Sequence, residues 1–190
     1  RYPIKSKNVI AHIRKATQGR VALENTHPFH RELWGRNWIF AHNGNLEHFA
    51  PARGQYYRPV GDTDSEAAFC HLLETLRQRF AEPPPQAELT AAVRELAASI
   101  RAHGVFNFML SNGDVLFTHC STHLHYLVRQ APFSVAHLVD NDVSIDFAEV
   151  TTPSDRVAVI ATQPLTDNET WTAHPKDTVL VFRDGAPLMG

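Results

Sequence analysis

The sequence predicts an α+β fold on three observations. Strand-like segments come first, two amphipathic helices split by prolines follow, and a series of turn-separated strand-like segments closes the chain. Grouped strands and grouped helices, rather than a regular alternation, favour antiparallel sheets with the helices gathered on one side. Val9 to Arg14 and Trp38 to His42 alternate apolar with other residues and are rich in β-branched or aromatic types, the pattern of half-buried strands. Thr63-Asp64-Ser65-Glu66 opens the first helix, whose Ala68, Leu72, Leu76 and Phe80 recur every four residues, with Phe69 and Leu73 widening the stripe. Thr63 with Glu66 three positions on is the spacing of a capping box. Pro83-Pro84-Pro85 stops this helix and starts the next, where Leu89, Val93, Leu96 and Ile100 share a face and His103-Gly104 ends the pattern. Val105 to Ser111 and Val115 to His119, joined through Asn112-Gly113, predict a β-hairpin with a type I′ turn. Leu124 to Arg129, Val157 to Thr162 and Thr178 to Arg183 predict further strands, with Asp140 to Asp155 polar and irregular between them.

Bulk properties narrow the function classes. The chain has 190 residues with 43% hydrophobic content, enough for one domain, 1–190, with a substantial core. A formal net charge of −2 and the lack of any basic run argue against nucleic acid and against a membrane surface as partners. Apolar stretches are short and interrupted, so no transmembrane span or secretory segment is expected and a cytoplasmic location is the simplest reading. Cys70 and Cys120 lie far apart without metal-ligand spacing and read as small buried apolar residues.

Four polar stretches fall at the ends of predicted elements: Arg14 to Gly19, Asn25-Thr26-His27-Pro28-Phe29, His42-Asn43-Gly44-Asn45 and Gly61 to Glu66. Each has a plain structural explanation taken singly: Arg14 as a solvated charge, Thr26-His27-Pro28 as a turn, Asn43-Gly44 as a hairpin corner, and Asp64 as a helix cap. Their order and spacing say more. His12-Ile13-Arg14-Lys15-Ala16-Thr17-Gln18-Gly19, Asn25-Thr26-His27-Pro28, His42-Asn43-Gly44 and Thr63-Asp64-Ser65-Glu66 together resemble the class II glutamine amidotransferases. Ala158 to Glu169 is similar to the stand-alone bacterial branch of that family.

The resemblance implies the four-layer αββα sandwich of N-terminal-nucleophile hydrolases, with 1–190 a glutamine amidotransferase type 2 domain whose first strands lie upstream. It implies hydrolysis of the γ-amide of glutamine, or of a γ-glutamyl amide, through a thioester on an N-terminal cysteine, with release of ammonia and no cofactor. It also implies roles. Arg14 would pair with the substrate α-carboxylate through two parallel N–H donors. Asp64 would take the α-ammonium, Thr17 and Gln18 would line the pocket, and Asn43 with the Gly44 N–H would form the oxyanion hole. His27 would shape its loop. The family nucleophile is a cysteine whose own α-amine serves as base, and Arg1, Cys70 and Cys120 do not match it, so an upstream segment carrying it is expected. Many relatives have histidine where Gln18 stands and an aromatic residue where Lys15 stands.

Two other readings compete. A metal-dependent hydrolase would use His119, His123 and His125, but no acidic residue accompanies them at ligand-like spacing, and the expectation is no metal. A glutamine-binding regulatory module would keep the pocket without catalysis. Expected partners are glutamine or a γ-glutamyl compound, a separate synthase subunit that consumes the ammonia, and a second copy in a homodimer.

Overall fold

A computed structural model of the chain describes residues 6–13 and 21–188. Strands β1 (Phe29–Leu33) and β2 (Arg36–Leu46) form a hairpin whose corner residues, Trp34 and Gly35, have φ of +56° and +71°. Such a pair of left-handed residues is what a type I′ turn needs. Tryptophan is an unusual occupant, held there by its indole N–H donating to the Phe80 carbonyl at 3.2 Å and by edge contacts with Trp38 and Phe80.

Helix α1 (Asp64–Arg79) follows, begun by Thr63, whose hydroxyl oxygen accepts the Glu66 N–H at 3.2 Å. The capping box is one-sided: Glu66 does not reach back to Thr63 but accepts the Val60 and Gly61 N–H groups at 3.0 and 2.7 Å. Helix α2 (Gln86–Arg101) starts after Pro85, where the missing N–H costs nothing. Then come β3 (Gly104–Ser111), β4 (Leu116–Cys120), β5 (His125–Gln130), β6 (Val135–His137), β7 (Ser144–Asp146), β8 (Arg156–Ala161), β9 (Thr172–Ala173), β10 (Thr178–Arg183) and β11 (Ala186–Pro187). The main sheet has the order β1-β2-β3-β4-β10-β11, all pairs antiparallel; β8-β5-β9 form a second sheet and β6-β7 a ribbon.

Register explains the layering. Phe40, Leu110, Phe117 and Val181 are Cα partners across β2, β3, β4 and β10, and all are buried in one cluster with Phe69, Leu72, Leu73, Val93 and Ile100 of the helices. Burying each such side chain contributes about 1.5–3 kcal/mol, so this face holds the helix pair on the sheet. The other face carries the alternate residues Ala41, Met109, Thr118 and Leu180. There the second sheet docks, with Thr118 Oγ1 bonded to His174 Nε2 at 3.0 Å and the Tyr126 and Phe182 rings edge to face. All five residues of β4 are buried, as a strand covered on both faces requires. The described layers are therefore helices, main sheet and second sheet, and helices covering the far side of the second sheet are not among the described residues.

Several sequence expectations need correction. Val9 to Ile13 are not in a strand, because alternation supplies a face but a strand also needs a ladder partner, and none of the described strands pairs there. Arg14 lies outside the described residues. The β3–β4 connection is not a two-residue turn: Ser111 pairs with Leu116, and Asn112 Oδ1 accepts the Asp114 and Val115 N–H groups at 3.1 and 3.0 Å, leaving only Gly113 at positive φ. A side-chain amide that mimics a backbone turn has displaced the type I′ geometry. That geometry occurs instead at Asp184-Gly185, φ +48° and +74°, between β10 and β11. The stretch Asp140 to Asp155 is not wholly irregular, since it contains β7 and a 3₁₀ turn at Phe147–Glu149. No helix among the described residues is long and apolar enough to cross a membrane.

Candidate active site

The His42-Asn43-Gly44 stretch does not turn a corner. It lies inside β2, with His42 opposite Phe108, Asn43 opposite Asn107 and Gly44 opposite Phe106 on β3. Alternation sends His42 to the helix-covered face, where it is buried and packs on Phe106, and leaves the Asn43 side chain on the opposite face, exposed. His42 Nε2–H donates to the Val105 carbonyl at 3.0 Å, which makes Nδ1 the acceptor for the Ser65 hydroxyl at 2.8 Å. Burial holds the His42 pKa below its ordinary value against the upward pull of the Val105 carbonyl and the Asp64 carboxylate, so the ring is a neutral brace.

Gly44 cannot be anything larger. Its φ is +157°, and a Cβ there would run into the Val105 carbonyl and the His42 ring. This tight contact between β2 and β3 lies where β1 has already ended, because β1 pairs with β2 only as far as Phe40. Residues 41–46 thus have an edge without a strand neighbour among the described residues. On that edge the Leu46 N–H donates to Asp64 Oδ2 at 2.7 Å. Asp64 Oδ1 accepts the N–H of Ser65 at 2.8 Å and faces the Ser65 hydroxyl at 3.3 Å, so the half-buried carboxylate is oriented by both oxygens while Oδ2 keeps a further lone-pair direction.

The remaining motif residues close around this pair. Asn25, buried, donates from Nδ2 to Asp62 Oδ1 at 2.7 Å and accepts the Asp62 N–H at Oδ1 at 3.1 Å. Glu66, 1% exposed, takes Arg31 as its ion-pair partner in addition to the two loop N–H groups. The His27 ring packs between His12, 4.3 Å away, and Phe29, 4.6 Å away. Described residues in and beside these motifs therefore meet: His12 with His27, Asn25 with Asp62, Leu46 with Asp64, and His42 with Ser65. Arg14, Thr17 and Gln18 lie outside the described residues.

The structure separates the histidines of the metal reading. His119 lies on β4 with Nδ1 against the Phe106 carbonyl, on the face that carries the helices, whereas His125 is on β5 of the second sheet and donates to the Thr162 carbonyl at 3.3 Å. Among the described residues no group of three or more His, Cys, Asp or Glu is placed to hold a metal ion. Cys70 and Cys120 are free and buried, and burial pushes the Cys70 thiol up to about 11 and raises that of Cys120 as well. A thiol held protonated is a poor nucleophile.

Comparison with known proteins decides the family. The family model for class II glutamine amidotransferases matches residues 1–189. The chain belongs to that family. It is 50% identical over 187 residues to a Haemophilus influenzae protein named for the same family, covering 98% of this chain and 64% of that protein. It is 57% identical over 171 residues to Escherichia coli YafJ, similarly named, covering 90% of this chain and 67% of the relative. A Pseudomonas aeruginosa crystal structure, also described as a glutamine amidotransferase by inference, superposes with a TM-score of 0.84 at 51% identity, covering 94% of this chain and 70% of that one. The chain thus spans about two thirds of the length of these curated relatives. The α+β class expected from the sequence holds, the chain shares the fold of the Pseudomonas structure, and three of the four expected αββα layers are among the described residues.

Sequence reasoning missed Asn107. It is 2% exposed and sits between Phe106 and Phe108, on the face opposite to theirs. The available signal was an amide side chain at an alternate position in an otherwise apolar strand, which must find partners if buried.

Proposed function

We propose that the complete protein hydrolyses the γ-amide of glutamine, or a γ-glutamyl amide, with this chain supplying the oxyanion hole and the grip on the amino-acid end of the substrate. The observation that carries the reading is the shared edge of β2: the Gly44 peptide and the Leu46 N–H bound to Asp64 lie two residues apart, with the Asn43 side chain exposed beside them. Asp64 would accept the substrate α-ammonium and Arg14 would hold the α-carboxylate as a bidentate pair, with Thr17 and Gln18 lining the pocket between them. These contacts fix the amide carbonyl in one place before attack.

The nucleophile is assigned to a cysteine at the mature N-terminus of the complete protein. The buried, protonated state of Cys70 and Cys120 supports looking beyond them. Its α-amine takes the thiol proton, and sulfur adds to the substrate carbonyl carbon. Negative charge then forms on oxygen between the Asn43 side-chain amide and the Gly44 N–H, two donors already placed to stabilise it. Collapse expels ammonia, carrying the proton from the amine, and leaves a thioester that water cleaves to the acid. The ammonia would pass to a separate synthase. Two unbridged cysteines suit a cytoplasmic setting, and a single domain over 1–190 is the matching organisation.

The test is ammonia release from glutamine by the complete protein, with and without Asn43→Ala. Turnover that falls by roughly 10²–10³-fold in the variant is expected. Saturable glutamine binding by calorimetry with no ammonia release from the wild type would replace catalysis by the regulatory-module reading.

A further inference from the structure

We infer that Asn107 is the positioning residue for the oxyanion hole, holding the Asn43–Gly44 peptide so that the Gly44 N–H faces the reacting carbonyl. The inference rests on the assignment of Asn43 and Gly44 as that hole. The Asn107 side chain is fully committed. Its Nδ2 donates to the Asn43 carbonyl at 3.0 Å and to Thr122 Oγ1 at 2.8 Å, while Oδ1 accepts the Ser121 and Thr122 N–H groups at 2.8 and 3.0 Å. These bonds, with the Ser121 hydroxyl also 3.4 Å from Oδ1, leave the buried amide no freedom to rotate.

The Asn43 carbonyl and the Gly44 N–H belong to one planar trans peptide, with oxygen and hydrogen pointing in opposite directions. Fixing the oxygen therefore fixes the hydrogen. Since Asn107 grips the carbonyl from β3, the Gly44 N–H is directed away from β3, to the edge of β2 that β1 leaves open beyond Phe40. The Leu46 N–H, two residues on, points to the same edge and is taken by Asp64. Gly44 gains from such a clamp because glycine backbone is the least restricted of all, and here it is held at a φ of +157°. From the helix side, His42 pins Val105, so this part of the ladder is held from both faces. A donor on the carbonyl also polarises the peptide and strengthens the N–H as a donor.

The experiment uses the complete protein and three variants, with active sites counted by a covalent glutamine analogue so that misfolded material drops out. Asn107→Ser adds no charge and is too short to reach the Asn43 carbonyl. Per active site, it should lower kcat by about 10–100-fold with KM for glutamine within about twofold, and weaken an aldehyde analogue of glutamine, which becomes tetrahedral when bound, by a matching factor. Thr122→Val removes one anchor of the Asn107 amide and leaves the amide in place. It should lower kcat in the same direction by about threefold or more at constant KM, and it decides the matter alone if Asn107→Ser yields no folded protein. Unchanged kcat per active site in these variants, while Asn43→Ala lowers kcat, overturns the role of Asn107 and leaves the oxyanion hole standing. Unchanged kcat in Asn43→Ala overturns the oxyanion assignment itself, and this inference with it.

Discussion

At the scale of single residues, neighbouring positions on one strand face opposite ways, and the proposed function gives one of them structural and the other chemical work. His42 and Asn43 are adjacent, yet one is a buried, neutral brace bonded to Ser65 and Val105 and the other is exposed at an open edge. Replacing them should therefore fail in different assays. His42→Ala leaves the Ser65 hydroxyl and the Val105 carbonyl without their partner and is expected to cost about 2–4 kcal/mol in denaturant unfolding. Asn43→Ala should leave the unfolding midpoint almost unchanged while lowering kcat. Arg14→Lys keeps the charge but loses the paired donors, so in the complete enzyme it should raise KM for glutamine more than it lowers kcat. The sequence singled out Asn43, Gly44 and Asp64 through their motif, and the structure puts Gly44 and Asp64 close together on β2 and the start of α1. It did not reveal that Asp64 and Ser65 tie the helix to β2, because a hydrogen bond between residues 18 apart leaves no local pattern. Asn107 was hidden for the same reason, its partners lying 64 and 15 positions away.

At the scale of elements, the first turn of α1 is a junction rather than a simple cap. Thr63 satisfies the Glu66 N–H, Asp64 and Ser65 reach β2, and Glu66 gathers Arg31 with the 60–61 loop. The two ends of this turn should differ in energy. Thr63→Ala loses one cap bond and is expected to cost about 1 kcal/mol. Glu66→Ala strands a guanidinium and two N–H groups beside a buried site, and a loss of about 3–5 kcal/mol is expected from urea titration of purified variants. Helices and longer strands were legible because their periodicity is local: α1 and α2 fall where the four-residue apolar repeat places them, and β10 has the predicted bounds. The corners were less so. The Trp34-Gly35 hairpin carries no turn dipeptide, and Asn112-Gly113, which does, is overridden by the Asn112 side chain.

For the whole molecule, three buried histidines set an acid limit on stability. Burial lowers the pKa of His42, His119 and His174 from the ordinary 6.5. The unfolded chain takes up these protons near 6.5 whereas the folded chain does so only at lower pH, so in that window the unfolded state holds more protons and stability falls as pH drops. Each group contributes at most about 1.36 kcal/mol per pH unit across its own window. Melting temperatures should accordingly hold level above about pH 7 and decline below about pH 6.5, and a flat profile down to about pH 5 would mean that these rings protonate freely in the fold. The layered architecture was foreseeable from the grouping of strands and helices, while the assignment of chemistry to one edge of β2 needed the register. That assignment requires a nucleophile that is neither Cys70 nor Cys120, and the most direct measurement is covalent labelling of the complete protein with a diazoketone analogue of glutamine, followed by peptide mapping. A single adduct on the cysteine at the processed N-terminus, with Cys70 and Cys120 unmodified and ammonia release abolished in step, is the predicted result. An adduct on Cys70 or Cys120 that abolishes activity would contradict it.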